Sequence, residues 1–444
     1  MDPKSTDPPA PARPKMVPRM EPSKASLRTS QTTSSSPTAS TPPTTPTDGT
    51  PPRRISKPEV RPPAFTVNLD LPPRERYKEI GKVYKEKLKS LKPIYDNLFN
   101  HFPAKNFVRL FARHTLFRRV YRYEEQQEIE GLVEATGLPR YLIVAYNTLL
   151  DTFMGCTSGA VRLAHDPTKP YSDENRDKML HFRTLDWGMD ELRQLVILIN
   201  YQRGGKTIAQ AVTYAGFVGV LTGVRQGLSA SLNFRAAASE NTRKRTVRLH
   251  KLLVLLGIRP SVSSQLRNFL FSEKHKQPPA LSEIIHKFPR THCTPCYVTL
   301  CDGDFAAFFE KDITHADLTV SEEFVVGTNH DGRMEAWKHA EYDAFTKSHP
   351  IPHAVRGAVD LLEDSLQRKR CINRLHDAAS NTKGNWRAKP ENRVEPGIGI
   401  KTVVSWCHAW PITNENTHFS CVMDPKAGNI LWMRYYEDPP DEPG

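Results

Sequence analysis

Three kinds of side chain that can do nucleophilic and acid–base chemistry stand close together in the middle of this chain. One is a thiol, in Gly155-Cys156-Thr157-Ser158; the others are a guanidinium and a carboxylate three apart, in Arg183-Thr184-Leu185-Asp186-Trp187-Gly188. Taken singly, each has a plainer reading. A lone Cys after an apolar stretch is usually an inert core residue, and an Arg and Asp at that spacing make an ion pair worth little. A second cluster, His292-Cys293-Thr294-Pro295-Cys296 with Cys301, has the first half of a zinc site. No second Cys-x-x-Cys or His pair accompanies it, so these are read as structural thiols. His353, His376 and His408 are isolated and read as satisfied surface or core residues. The densest basic run, Arg243-Lys244-Arg245 with Arg248 and Lys251, leads into apolar sequence and reads as the solvated half of a helix. No zinc-finger, helix-turn-helix or aromatic RNA-binding signature accompanies it, so no nucleic-acid partner is expected.

Elements must hold these residues in place. The alternation Phe65, Val67, Leu69, Leu71 predicts a strand, ended by Pro72-Pro73, which can open a helix. Apolar residues recur at helical spacing over 74–102 and again over 123–136, where Gly137 supplies the stop. The segment 138–153 is apolar enough for a buried helix. After Cys156 come short β-rich runs at 179–183, 195–201, 207–213 and 228–233, with a glycine-punctuated stretch at 215–223. A helical insert is predicted over about 240–288. The hairpin Tyr297 to Phe309 turns at Asp302-Gly303, and further strands are expected at 402–406 and 429–435. Helices first, then a strand-rich body with helical inserts, predicts an α+β fold.

The chain has 444 residues, 37 prolines and a net charge of +13. Residues 1–61 are Pro/Ser/Thr-rich, carry ten basic and five acidic residues, and are expected to be disordered. No apolar run approaches the ~20 residues of a membrane span. The tail has no signal-peptide core, no Asn-x-Ser/Thr sequon occurs, and the cysteine count is odd. The expectation is therefore an intracellular protein whose basic excess favours anionic lipid surfaces.

In order along the chain come Asn68-Leu69-Asp70-Leu71-Pro72-Pro73-Arg74, the Cys-Thr-Ser at 156, the Arg-x-x-Asp-Trp-Gly at 183, Ala215-Gly216-Phe217-Val218-Gly219, Leu221-Thr222-Gly223, and Thr328-Asn329-His330-Asp331. As a set they resemble the acid ceramidase and N-acylethanolamine-hydrolysing acid amidase family, N-terminal-nucleophile hydrolases related to choloylglycine hydrolases. The resemblance covers roughly residues 62–435. It implies an αββα four-layer sandwich, made as a precursor that cuts itself between Gly155 and Cys156. Residues 62–155 would become an α-subunit and 156–444 a catalytic β-subunit, the two forming a heterodimer. Gly155, lacking a Cβ, suits a strained backbone at the cut. Cys156 would be the nucleophile, with its new α-amine (pKa about 7.7–8.0) as base.

The resemblance further implies that Arg183 stabilises the thiolate, that Asp186 orients the amine, and that Asn329 donates to the oxyanion, with Asn233 a second candidate. The substrate would be a lipid amide, ceramide foremost, with Trp187, Phe217 and Phe234 (and beside them Val218 and Leu221) lining the acyl channel. No metal or other cofactor is called for. An N-acylethanolamine amidase and a catalytically weakened lipid-binding relative are the alternative readings, and a lysosome- or vacuole-like compartment follows by family analogy. The chain also departs from the pattern. It inserts a polar loop at 165–175, and it has Asn233-Phe234-Arg235 where an acidic residue is usual. Glu363-Asp364-Ser365-Leu366 matches the family's Asp-Asp-Arg-Arg poorly, so no arginine is carried over there. Cys371 has no cysteine before Cys156 to bridge to.

Overall fold

The structure, a computed structural model, describes residues 60–99, 106, 110–149, 155–164, 178–236, 242–271, 277–348, 358–381 and 397–440. All described residues belong to one unit, Pro51–Gly444. The tail expected to be disordered (save residues 60–61), the inserted loop 165–175 and His353 lie outside the described residues.

The first strand, β1 (Ala64–Asn68), points Val67 into the core. It stops earlier than its apolar alternation predicts because Asn68 Oδ1 accepts the N–H of Asp70 at 2.9 Å and turns the chain. Pro73 then opens a short 3₁₀ turn. The helical pattern that follows is realised in pieces, α1 (Lys78–Val83), a 3₁₀ turn at Lys87–Ser90, and α2 (Leu91–Phe99). Next come α3 (Tyr123–Thr136), ended as expected by Gly137 at φ 69°, and the buried α4 (Arg140–Leu149).

Two sheets form the body. Strands β2 (Gly155–Arg162) and β3 (Met179–Asp186) belong to one sheet. The other takes up β4 (Val196–Arg203), β5 (Lys206–Tyr214), β6 (Thr222–Arg225) and β7 (Leu228–Phe234). The helical insert follows as α5 (Lys244–Leu255), α6 (Val262–Phe271) and α7 (Leu281–Lys287). The predicted hairpin is β8 (Cys296–Cys301) and β9 (Ala306–Lys311), with Gly303 at φ 97° and Asp302 Oδ1 accepting the N–H groups of Asp304 and Phe305. The chain continues through β10 (Ala316–Ser321), β11 (Phe324–Gly327), α8 (His339–Ser348), α9 (Ala358–Ser380), α10 (Ile400–Trp406), β12 (Thr417–Asp424) and β13 (Asn429–Tyr435).

The eight-stranded sheet has the order β1-β4-β5-β6-β7-β8-β9-β10, with β1 parallel to β4. The five-stranded sheet runs β11-β2-β3-β12-β13, antiparallel throughout. The sheets face each other through β2 against β7 and β8, α6 covers β6 and β7 from outside, and α9 and α10 cover β2, β11 and β12. This is the α–β–β–α order that the resemblance implies.

Residues 402–406 correct a prediction: they are helical, not a strand. The β-branched Thr402-Val403-Val404 favours extended backbone. The helix instead buries Val403 and Trp406, three apart, and sets Trp406 edge-on against Phe182 at 6.1 Å. Tertiary burial outweighs the local preference.

Candidate active site

Side chains alternate across a strand, and directly opposed residues of an antiparallel pair share a face. In the β2–β3 ladder Gly155 opposes Asp186, Cys156 opposes Leu185, Thr157 opposes Thr184 and Ser158 opposes Arg183. Cys156, Ser158 and Arg183 therefore face the eight-stranded sheet, while Thr157 and Asp186 face α9.

On the inner face Arg183 Nη2 donates to Cys156 Sγ at 3.0 Å. Its Nη1 donates to Asn233 Oδ1 (3.1 Å) and Ser158 Oγ (3.3 Å), and Ser158 donates to the same Asn233 oxygen at 2.6 Å. Asn233 Nδ2 donates to the carbonyls of Gly327 and Thr328, so both ends of this amide are engaged. On the outer face Asp186 Oδ1 accepts from Thr417 at 2.7 Å. Its Oδ2 lies 3.5 Å from Arg368 Nη1 without a hydrogen bond to it. Arg368 donates to Thr157 Oγ1 (2.9 Å), to Asn329 Oδ1 (3.0 Å) and, one turn back on α9, to Asp364 (2.9 Å).

Asn329 joins the two faces. Its Oδ1 accepts the backbone N–H of Cys156 at 2.7 Å, and its Nδ2 donates to the Phe234 carbonyl at 2.9 Å. Arg368 has only donors, so it fixes which end of the Asn329 amide faces Cys156. In the intact chain Asn329 thus holds the Cys156 nitrogen as an acceptor, where the resemblance implies an oxyanion donor.

All of these groups are buried, and burial dominates their protonation. The Cys156 thiol is pushed up to about 11 by desolvation, with the Asp186 charge adding to the rise. Arg183, Arg368 and the backbone N–H of Asp186 pull the other way. Arg183 favours the thiolate as expected, but desolvation wins and the thiol stays neutral near pH 7. Asp186 is raised to about 7, again by burial first, against Arg368 and the Thr417 hydrogen bond. Gly155 departs from expectation. It continues a regular strand outside the left-handed region, and a Cβ there would come within 3.4 Å of Asp186. That is ordinary contact distance, so neither backbone strain nor crowding requires a glycine here.

Arg368, Ser365, Thr157, Ser158 and Thr417 were not among the sequence candidates. Ser365 accepts the Asn329 N–H at 2.7 Å from the turn of α9 that precedes Arg368. The available signal was the Asp364/Arg368 spacing of four on one helix face. Where the acidic residue is missing, Phe234 is buried beside the site. Arg235 turns away into a two-pronged pair with Asp331 at 2.8 Å, which also accepts from Tyr297. Cys371 is a buried thiol that donates to the Trp410 carbonyl.

An apolar cleft, reached from Asp186 through the adjacent Trp187, is walled by Leu91, Ile94, Leu142, Tyr146, Trp187 and Leu192 among others. Tyr214 packs behind Trp187. Its ring packs edge-on to Trp187 at 5.6 Å, and its hydroxyl lies 2.9 Å from His418 Nδ1. Trp187 is among the walls of the cleft. Phe217 stands behind it, edge-on to Tyr146 at 6.1 Å, and Phe234 is not among its walls. Tyr146 Oη and Trp187 Nε1 are buried with no hydrogen-bond partner among the described residues. Among the described residues no cluster of three His, Cys, Asp or Glu could hold a metal ion, and no helix is long and apolar enough to cross a membrane.

Residues 60–115 match a family model described as the beta subunit of N-acylethanolamine-hydrolyzing acid amidase. Acid ceramidase of Rattus norvegicus is 28% identical over 190 residues, and that of Bos taurus 31% over 192; each match covers 39% of this chain and 45% of the relative. The chain thus spans about half the length of the curated relatives it matches. A solved N-acylethanolamine-hydrolyzing acid amidase ortholog of Caenorhabditis elegans is 20% identical at a TM-score of 0.40, covering 61% of this chain and 93% of that one. With the motif series in place along the chain and the family model matching residues 60–115, the chain is similar to the acid ceramidase and N-acylethanolamine-hydrolysing acid amidase family.

Proposed function

We propose that this chain is a precursor of an amidase that hydrolyses N-acyl lipid amides, ceramide foremost and N-acylethanolamines as the alternative, with Cys156 as nucleophile. The observation that carries the reading is the Arg183 guanidinium 3.0 Å from Cys156 Sγ, on a residue whose backbone nitrogen is held by Asn329. The fixed cation does not ionise the resting thiol but stabilises the anion once a base takes its proton.

In the first step Sγ attacks the Gly155 carbonyl and the Cys156 nitrogen leaves, giving a thioester that water opens. The products are a Gly155 carboxylate and a free α-amine on Cys156. Asp186, opposite Gly155 and protonated below about pH 7, is placed to supply the proton that the departing nitrogen needs, and the proton given up by the thiol restores it. Afterwards Asn329 Oδ1 keeps its partner as an amine, and the amine takes the thiol proton when Sγ attacks a substrate amide. The amino alcohol leaves, and water frees the fatty acid from the acyl-enzyme. Arg183 steadies the sulfur; Asn233 and Ser158 hold Arg183; Arg368 holds Asn329 and offsets Asp186. The cleft walled by Trp187 and Tyr146 suits a hydrocarbon chain, and the basic excess suits an anionic lipid surface. Residues 62–155 and 156–444 would remain together as a heterodimer, since β1 pairs with β4 across the cut.

The test is fatty-acid release from N-acyl sphingosines and N-acylethanolamines of several chain lengths. Release by the wild-type protein and none by Cys156→Ala supports the reading, and the preferred amine selects between the substrates. Lipid binding with no release from any amide would favour the weakened binding relative instead.

A further inference from the structure

The Cys-x-x-Cys segment plays no part in the amidase reading, and its geometry has a use of its own. Cys293 ends an exposed loop and Cys296 begins β8; both thiols are buried, and their sulfurs are 3.9 Å apart. That is contact distance, and a disulfide needs about 2.05 Å, so the two sulfurs can join with local movement only. The loop is tied on both sides of the pair. The Cys293 N–H donates to the Ile313 carbonyl at 3.0 Å, Gln265 Nε2 donates to the His292 carbonyl at 3.2 Å, and Cys296 is paired in the ladder with Phe234 and Lys311.

Lys311 supplies the electrostatics. Its ammonium is buried and donates to the carbonyls of Asp312, Ile313 and His315. Burial lowers its pKa, whereas Cys293 and Cys296 raise it. Exposed Thr291 and His292 flank the pair on the solvent side.

We propose that Cys293 and Cys296 form a reversible dithiol–disulfide site that takes a low-molecular-weight disulfide, glutathione disulfide being the probe. One thiolate attacks a sulfur of the probe, forming a mixed disulfide and releasing one glutathione thiolate. The neighbouring thiol, losing its proton, attacks the protein sulfur of that mixed disulfide and releases the second glutathione. The two protein thiols are oxidised, the probe is reduced to two thiols, and the two thiol protons end on the two glutathiones. The site is independent of lipid hydrolysis and stands or falls apart from it.

The experiment treats the full chain, under native conditions, with increasing glutathione disulfide, then alkylates and maps the peptides. The expected result is one peptide carrying a Cys293–Cys296 disulfide, reopened by dithiothreitol, and forming at least about tenfold faster than any loss of the Cys301 thiol, which meets the Met179 carbonyl rather than a second sulfur. Cys296→Ser should instead keep a mixed disulfide at Cys293, because the resolving thiol is gone. If both thiols stay alkylatable at every concentration, or if the wild-type chain accumulates an unresolved glutathione adduct, the proposal is overturned. Both wild-type readings stand even if the variant fails to fold.

Discussion

Arg267 and Arg183 are both buried guanidiniums, and what surrounds them differs. Arg267 meets Glu128 through two hydrogen bonds (2.5 and 2.7 Å) and donates to the Val218 carbonyl. Glu128 also takes Arg76, which reaches Glu124 and the carbonyls of Leu69 and Leu71. Every charge there has a counter-charge, and the cluster ties residues before Cys156 to the helical insert. Arg183 has no carboxylate in hydrogen-bond contact. Its partners are a neutral thiol, an amide oxygen and a hydroxyl, and its Nε has none. A closed cluster spends its electrostatics on holding segments together, while an open one keeps a positive charge for an anion formed later. The sulfur is where that anion would form.

Several substitutions would break or sharpen this contrast. The largest effect falls on the thiol. Cys156→Ala should abolish both self-cleavage and lipid hydrolysis, read by denaturing gel and fatty-acid release, while leaving the circular dichroism spectrum unchanged. Next is the pair of arginines. Arg183→Met should slow hydrolysis by about 10²–10³ with little change in melting temperature. Arg267→Met leaves the buried Glu128 with only its longer contact to Arg76 at 3.1 Å and should cost about 3 kcal/mol in a denaturant titration. Equal stability losses in the two variants would erase the distinction drawn here.

A pH series gives a smaller effect. Asp186 titrates near 7 because burial outweighs Arg368, so cleavage in a time course should slow as pH rises through about 7 and the proton is lost. The smallest effect is on stability. Glu125, buried against Ser264 at 2.9 Å, is likewise raised to about 7 by burial. A carboxyl whose folded pKa lies above its unfolded value costs nothing at low pH, and its penalty grows as pH rises from about 4.5 to 7. Glu125→Gln should therefore melt a few degrees higher than wild type at about pH 8, and no higher near pH 4.

Much of this arrangement was legible in the sequence, for identifiable reasons. The period-two run at β1, the Asp-Gly hairpin and Gly137 act over a few residues, so local pattern suffices. Cys156, Arg183, Asp186, Asn329 and Asn233 were found through the order of short motifs, and the fold brings all five together. Arg368 was missed because its contribution is spatial: it comes from α9, far along the chain, and only its i,i+4 spacing from Asp364 marks it. Residues 402–406 misled because β-branched composition was read without knowing that Trp406 would be buried against Phe182. The acyl-channel expectation mixed both cases. Trp187, adjacent to a motif residue, lies at the cleft, whereas Phe217 packs behind it.

The central claim is that the sulfur and nitrogen of residue 156 work together once the peptide bond before them is cut. Intact-mass measurement of the incubated wild-type chain, with the N-terminus of the larger fragment sequenced, tests it directly. The account predicts a fragment beginning Cys156-Thr157-Ser158, absent from Cys156→Ala. A chain that stays whole while releasing fatty acid from lipid amides, or one cut at another bond, would contradict it.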